Sequence, residues 1–320
     1  MKHSTSLLAI PVSALFALAG CVGPAPTDSN GGTQSPTATS SETTPATGAL
    51  SVVASTSVWA SIVEFVGGDA VEVTAIILDP NRDPHSYEAS VRDQLAVSEA
   101  DLVVMNGGGY DDFLLQLAAA APEAKLILSA VEGEDSYEEG EHSNSENEHV
   151  WYDFDVVSEF AVRLADVLTE LRPDALQAIS SNFDEFEAEM EVLSLRRDAL
   201  RDRALGLGVM QTAPLASLLL EDAGFTDLTP PDLLEAIEEE REVPPLVMGE
   251  AQSLLESGDI ALLAVNEQLV DPQSEQLIEW GQSSGVAIVY LGELIPDPAT
   301  QDYLDWMHAI LDDLQEKIYG

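Results

Sequence analysis

Short β-branched apolar runs alternate with helical patterns along the chain from Leu50 onward. The runs form two groups, one in each half of the sequence. They predict strands at 50–55, 71–78, 101–107 and 125–130 in the first group, and at 207–212, 260–265 and 286–291 in the second. Because strands and helices alternate, we expect right-handed βαβ units and mostly parallel sheets.

The helical patterns fall between these runs. They predict helices at about 56–66, 90–99, 110–121, 214–223, 231–240, 245–257, 272–284 and 299–318, and a further helix from near Asp155. In sheets of this type, ligands bind at the loops beyond the carboxyl ends of the strands. Residues 79–86 and 106–110 lie at such positions.

A long uninterrupted helical pattern separates the two groups of strands. It starts at Pro173, which suits a first helical turn, and continues without Gly or Pro to about Leu205. Its apolar positions repeat at spacings of three and four, namely Leu176, Ile179, Phe183, Phe186, Met190 and Leu193. About 30 residues at this rise give roughly 45 Å, the span of a lobe pair. The predicted fold class is α/β, with two (β/α) lobes of mostly parallel sheets joined by a stiff backbone helix.

The first residues are typical of a secretory lipoprotein signal. Lys2 and His3 precede an apolar segment, Leu7–Ala19, which is too short for a membrane span. The segment leads into "LAGC", which looks like a lipobox, so we expect a signal peptide at 1–21 and a lipid on Cys21. The alternative is a plain secreted protein with a chance cysteine. Cys21 is the only cysteine, which excludes a disulfide framework and a thiolate metal site.

The rest of the chain divides by composition. Residues 22–48 are mainly Pro, Ser, Thr and Gly, which is typical of a disordered, flexible tether. Beyond it we expect an N-terminal lobe at 49–172, the linking helix at 173–205 and a C-terminal lobe at 206–320.

The charge balance narrows the range of partners. The chain has 58 acidic and 12 basic residues, for a formal net charge of −46. Phosphate backbones repel such a surface, which argues against nucleic-acid binding. The same surface keeps a protein soluble where salt screens its self-repulsion, so we hypothesise a salt-tolerant bacterial host.

Two of the five histidines lie on loops of the predicted N-terminal lobe. His85 is in "NRDPHSYEAS" (81–90), and His149 is in "NEHVWYDFD" (147–155), just before a helix. Two imidazoles near acidic side chains suit a borderline metal such as zinc. Asp83 and Asp153 are candidate partners for the second ring nitrogens. In the alternative interpretation, both histidines are incidental residues of a solvated acidic loop.

Acidic residues supply further candidates. The segment 131–148 is rich in carboxylates, which collect divalent ions weakly, with calcium and magnesium competing. The candidates for auxiliary metal capture in this segment are His142, Glu141 and Glu148. Glu293, in "YLGELIPD" (290–297), follows the last strand and is a candidate oxygen ligand from the opposite lobe. Glu267 has the same topological position after another strand, where it supports the cleft or caps a helix.

These motifs together resemble the zinc/manganese solute-binding proteins of bacterial ABC importers, called cluster A-I. The resemblance runs from about Leu50 to the end of the chain. It rests on "DPHSYE", "ADLVVMNG", "HVWYD" and the long helix, with "TPPDLLEAIEEEREVPP" (229–245), "VNEQL" (265–269) and "YLDWMHAIL" (303–311) in support. The motifs are specific jointly, because none of them suffices alone.

The resemblance implies a function. A metal would bind in the cleft between the lobes, with ligands at His85, His149 and Glu293. The metal would be zinc or manganese as a transported ligand, with no organic cofactor. The implied partners are an ABC permease and its ATPase. The protein would be an extracytoplasmic monomer, held by its lipid at the outer face of the cell membrane.

One position departs from the family pattern. The family has a third ligand, His or Glu, just after the first strand of the second lobe, where this chain has Ala213. A methyl group cannot bind a metal. Either three ligands and a water complete the site, or Gln211 or Glu221 substitutes, or the affinity has fallen.

Two other functions fit parts of the sequence. A hydrolytic zinc enzyme also uses histidines, a carboxylate and an open position, but the sequence has no "HExxH" motif and no nucleophile elbow. We therefore expect no enzyme. The second alternative is a surface lipoprotein with weakened or lost metal binding that acts as an adhesin or structural component.

Overall fold

The computed structural model describes residues 48–82, 84, 86–123, 125–131, 147–238, 241–268 and 270–319. All of them belong to one compact unit, Pro45–Gly320. The predicted signal peptide with Cys21, and the tether up to residue 47, lie outside the described residues. Within the described part of the chain, no helix has the length and apolar character that crossing a membrane requires.

The first lobe is a parallel four-stranded sheet covered by helices. Its strands are β1 (Leu50–Thr56), β2 (Val71–Ile77), β3 (Leu102–Met105) and β4 (Leu126–Ser129), in the order β2-β1-β3-β4. Its helices are α1 (Ser57–Gly67), α2 (Val91–Glu99), α3 (Asp112–Ala119) and α4 (Phe154–Leu171). The central strands β1 and β3 are apolar on both faces, as strands of a sheet with helices on each side must be.

The second lobe repeats this architecture. Its strands are β5 (Gly208–Gln211), β6 (Thr226–Asp227), β7 (Ile260–Asn266) and β8 (Ala287–Leu291), all parallel and in the order β6-β5-β7-β8. Its helices are α6 (Ser217–Asp222), α7 (Pro231–Glu238), α8 (Pro245–Ser257), α9 (Pro272–Ser284) and α10 (Tyr303–Tyr319). The two-residue strand β6 was not predicted from the sequence.

Helix α5 (Leu176–Ala204) joins the lobes and confirms the predicted backbone helix. A single 3-10 turn, Pro173–Ala175, precedes it. Its 29 residues correspond to about 44 Å. It buries a stripe of side chains, Ile179, Phe186, Met190, Leu193 and Leu200 among them, against α1, α4 and α10.

One hydrophobic core continues through both lobes. It includes Val52 and Leu102 of the first sheet, Phe186 of α5, and Val209 and Leu262 of the second sheet. Burial of a shared core opposes large hinge motion, because opening the lobes would expose apolar surface at about 25 cal/mol per Å². The fold therefore holds the facing loops of the two sheets in a nearly fixed geometry.

Candidate metal site

Both sheets have the same strand order, and their carboxyl ends face each other. In each sheet the first strand of the lobe lies between the second and the third. The chain therefore adds strands first on one side of β1 or β5 and then on the other, which makes a topological switch point beside that strand. Ligands of open parallel sheets bind at such switch points. The loops after β3, β5, β7 and β8 therefore meet between the lobes, and hydrogen bonds connect them there.

The turn after β3 is built around a buried aspartate. Backbone amides of Asn106 and Gly107 donate to the Asp111 carboxylate over 2.7 and 2.9 Å. Glycines at 107–109 have φ of 80°, 69° and 92°, a left-handed conformation that side chains disfavour. Burial raises the pKa of Asp111 from 3.8 to about 6, against the amide hydrogen bonds, which lower it. The turn presents Tyr110 towards the second lobe.

His149 lies buried between aromatic rings, with 6% of its surface exposed. The imidazole meets Tyr110 and Trp151 edge-on, at ring-centroid distances of 6.2 and 5.3 Å. Asn147 Oδ1 accepts from the His149 backbone N–H over 2.9 Å and lies 2.8 Å from Nδ1. These contacts fix the direction of the ring.

The aromatic residues behind His149 connect the two lobes. Trp151 packs on Tyr152, which packs on Trp306 of α10 with ring centroids 5.8 Å apart. The Tyr303 hydroxyl donates to the Trp151 carbonyl over 2.7 Å. A water-poor, apolar wall of this kind strengthens electrostatic interactions with a bound cation.

Glu293 approaches from the second lobe, with 4% of its surface exposed. Asn266 Nδ2 donates to Oε1 over 3.0 Å, and the Tyr110 hydroxyl donates to Oε2 over 3.5 Å. The Glu293 backbone N–H donates to the side chain of Gln268. The predicted ligands His149 and Glu293, one from each lobe, therefore both contact Tyr110.

A second carboxylate lies close to Glu293. Burial raises the pKa of the Glu267 carboxyl. Burial also raises the pKa of the Tyr152 hydroxyl well above its ordinary value, and the charges of Glu267 and Glu293 add to this. The Tyr152 hydroxyl donates to the Gly292 carbonyl over 2.8 Å. The region between the lobes therefore holds two carboxyl groups, and a bound cation would favour their ionised form.

The loop that carries His85 reaches the second lobe. His85 and Asp83 themselves lie outside the described residues. Their neighbour Pro84 is buried, and the Pro80 carbonyl accepts a hydrogen bond from the side chain of Gln268. Gln268 also holds the Glu293 backbone, so Pro80 lies beside the same site.

Where the structure describes them, the other residues predicted to assist metal binding are not seen beside His149 and Glu293 in a ligand role. His142 and Glu141 lie outside the described residues. Glu148 is partly exposed, and its carbonyl accepts from Asn106 Nδ2 over 2.8 Å. Asp153 Oδ1 accepts the backbone N–H groups of residues 155 and 156, so its side chain caps α4.

Ala213 lies in the same region, and its side chain is buried. It precedes Pro214, whose carbonyl accepts a hydrogen bond from Asn147 across the lobes. Gln211, one suggested replacement, uses its Nε2 to bind Ser217 and Asp227, each at 2.9 Å. Glu221, the other suggestion, is exposed on α6.

Among the described residues, no group of three His, Cys, Asp or Glu side chains is placed to hold a metal ion. The described candidate ligands are one imidazole, His149, and one carboxylate, Glu293, and Pro80 of the preceding loop contacts Gln268 next to Glu293. Sequence reasoning missed the supporting residues Tyr110, Asn147, Asn266 and Gln268. Their only sequence signal is proximity: Asn147 stands two residues before His149, Asn266 and Gln268 flank Glu267, and Tyr110 ends the loop 106–110.

Comparisons with known proteins give one consistent result. The family described as "Zinc-uptake complex component A periplasmic" (ZnuA) matches residues 52–317. The chain is 26% identical over 149 residues to the manganese-binding lipoprotein MntA of Halalkalibacterium halodurans, covering 45% of this chain and 47% of that protein. It is 31% identical over 181 residues to the metal ABC transporter substrate-binding lipoprotein FimA of Streptococcus parasanguinis, covering 54% and 53%. The chain spans about half the length of these relatives.

Solved structures agree with the fold. The crystal structure of ZnuA superposes with a TM-score of 0.68 at 21% identity, covering 85% of this chain and 99% of that chain. An identity this low supports a statement about the fold alone. The predicted α/β architecture of two lobes on a long helix is confirmed.

Proposed function

Because the chain belongs to the zinc-uptake complex component A family, as its motifs predicted, we propose that it captures a divalent transition metal between its lobes and delivers it to an ABC importer. The observation that carries this proposal is the approach of His149 and Glu293 from opposite lobes to Tyr110. A ligand from each lobe lets one bound cation join the two halves.

Zinc is the first choice of metal, with manganese second. Imidazole nitrogen and carboxylate oxygen are both good zinc ligands, and His85 would add a second imidazole from the adjoining loop. The relatives include a manganese-binding lipoprotein and a metal ABC transporter substrate-binding lipoprotein, which supports a transported metal. The metal is then cargo, and no organic cofactor is needed.

The position of Ala213 suggests a three-ligand site. Glu221 is exposed on α6, and Gln211 would offer only a neutral amide oxygen, which is a poor replacement for a histidine or a carboxylate. His85, His149 and Glu293 would bind the metal, and a water would complete a tetrahedral arrangement. Such a site releases metal more readily than a four-ligand site, which suits a protein that must hand its cargo on.

Delivery requires a partner in the membrane. We propose an ABC permease with its ATPase as that partner, and a lipid on Cys21 that keeps the protein at the outer face of the membrane. The residues support capture rather than catalysis, because the sequence has no hydrolytic zinc motif. The adhesin alternative has less support, since His149 and Glu293 are both buried and both contact Tyr110, which is an arrangement suited to metal binding.

The test is metal binding by the purified protein, measured by elemental analysis and titration calorimetry with zinc and manganese. We expect one metal ion per chain, and we expect His85→Ala and His149→Ala each to abolish tight uptake. His308→Ala is the matched control, because His308 lies on α10 against Arg196 and Glu189. A wild-type protein that binds neither metal more tightly than the His85→Ala, His149→Ala double variant would overturn the proposal.

A further inference from the structure

The side chain of Asn147 contacts both lobes at the candidate site. Its Oδ1 accepts from the His149 backbone N–H over 2.9 Å, and its Nδ2 donates to the Pro214 carbonyl over 2.9 Å. A backbone N–H can only donate, and a carbonyl can only accept. The two contacts therefore fix which end of the amide is oxygen and which is nitrogen.

This orientation determines the tautomer of His149. The same Oδ1 lies 2.8 Å from His149 Nδ1. An amide oxygen has no proton to give, so Nδ1 must carry the hydrogen of this bond. In the neutral imidazole the lone pair is then on Nε2, and Nε2 is the ring nitrogen that can coordinate a metal.

The second contact of Asn147 ties this histidine to the opposite lobe. Pro214 directly follows Ala213, the position at which the third ligand of the family pattern is missing. The Asn147 amide thus gives the first lobe a direct hydrogen bond to the segment that lacks a metal ligand. A metal bound to a ligand in that segment would also link the two lobes. The hydrogen bond of Asn147 makes this link in a chain whose Ala213 cannot bind a metal.

We infer that Asn147 is a positioning residue for metal capture, which sets the Nδ1–H tautomer of His149 and locks it to the Ala213–Pro214 segment of the second lobe. The metal-binding part of this inference rests on the proposed function. The tautomer part is a property of the protein without metal. The two parts can therefore fail separately.

The first measurement is the two-bond ¹H–¹⁵N spectrum of histidine-labelled protein at a pH of about 8, above the ordinary histidine pKa. The chain has five histidines, and the His149 signals are assigned by their loss in His149→Ala. We expect wild-type His149 to carry its proton on Nδ1. In Asn147→Ala this preference should disappear, whereas Asn147→Asp should keep it, because a carboxylate still accepts from Nδ1.

The second measurement is zinc affinity by calorimetry. Removal of a group that orients a metal ligand costs about 10- to 100-fold in affinity, and we expect a loss in this range for Asn147→Ala. Asn147→Asp should lose less, because it keeps the tautomer and gives up only the donor to Pro214. Asn182→Ala is the matched control, since Asn182 Nδ2 also donates to a backbone carbonyl, that of Val66, far from the site. It should bind zinc as wild type does.

The possible results distinguish the role of Asn147 from the proposed metal-capture function. A proton on Nε2 of wild-type His149 would overturn the inference, even if Asn147→Ala fails to fold. An Asn147→Ala variant that keeps both the Nδ1 proton and wild-type affinity would overturn it as well. Wild-type protein that takes up no zinc yet shows the Nδ1–H tautomer would instead refute the proposed function.

Discussion

The Tyr110 hydroxyl of the first lobe donates to Oε2 of Glu293 in the second lobe, 183 positions later in the chain, over 3.5 Å. The Tyr110 ring also meets the His149 imidazole edge-on. One side chain therefore touches both described candidate ligands. It links the two candidate ligands across the lobes, although it is not itself a proposed metal ligand.

Removal of this hydroxyl should weaken metal binding. In Tyr110→Phe the Glu293 carboxylate loses one of its donors, while the packing of the ring remains. We expect about a tenfold loss of zinc affinity and about 1 kcal/mol of stability, measured by calorimetry and thermal unfolding. Tyr319→Phe is the control, because Tyr319 donates to the Ala199 carbonyl far from the site. Equal zinc affinity in Tyr110→Phe and wild type would show that Tyr110 does not position Glu293.

A ligand at position 213 should raise the affinity. Ala213 is buried beside Pro214, which contacts Asn147. Ala213→Glu would add a carboxylate in place of the water that we propose as the fourth ligand, and we expect zinc to bind at least about tenfold more tightly, ~1.4 kcal/mol. Ala213→Gln is the matched control, with the same size and no negative charge. An unchanged affinity in Ala213→Glu would mean that this side chain does not face the metal.

Asp111 should make stability depend on pH in an identifiable way. Burial raises the pKa of its carboxyl from 3.8 to about 6, so between these pH values the native state holds a proton that the unfolded state has released. Stability therefore falls as pH rises through this window, by up to about 3 kcal/mol from this group. Asp111→Asn should flatten the stability curve between about pH 4 and 6 relative to wild type.

Urea unfolding across this pH range measures the effect. Asn182→Ala, which removes no titratable group and whose side chain donates to the Val66 carbonyl, is the control and should keep the wild-type slope. The asparagine amide has one acceptor oxygen, whereas the two carboxylate oxygens of Asp111 accept from Asn106 and Gly107 separately. Asp111→Asn should therefore also lower stability at neutral pH, because one of these two hydrogen bonds is lost. A wild-type slope in Asp111→Asn would show that this carboxyl does not titrate in the window.

Salt should stabilise the protein. With a formal net charge of −46, the folded chain suffers strong self-repulsion. The screening length falls from about 10 Å at 0.1 M to about 3 Å at 1 M salt, which relieves repulsion between surface carboxylates. We expect Tm to rise over this range, equally in NaCl and KCl, because screening depends on ionic strength. A Tm that stays constant or falls would contradict the expectation of a salt-tolerant protein.

The fold was largely predictable because its signals are local. Buried parallel strands such as β1 and β7 are long apolar runs, and α5 carries an apolar repeat over its whole length. Strand β6 escaped prediction for a physical reason. It has only two residues, Thr226 and Asp227, and two residues have no periodicity; pairing with β5 makes it a strand.

The site was predictable only in part. His149 and Glu293 were identified from their motifs, but their distance depends on how the two lobes pack, which no local pattern encodes. The expected partner of the His149 ring was Asp153, whereas the structure places Asn147 there and uses Asp153 to cap α4. Aspartate is strongly preferred at the N-cap position of a helix, where its side chain accepts from backbone N–H groups. Here that role took precedence over a contact with the nearby histidine.

A crystal structure of the zinc-loaded protein, with anomalous data collected at the zinc edge, would locate the metal directly. We expect one strong anomalous peak between the lobes, within about 2.0–2.2 Å of His149 Nε2 and a Glu293 carboxylate oxygen. His85 should supply the third ligand. A peak elsewhere, or coordination through His149 Nδ1 with Glu293 still bound only to Asn266 and Tyr110, would contradict this expectation.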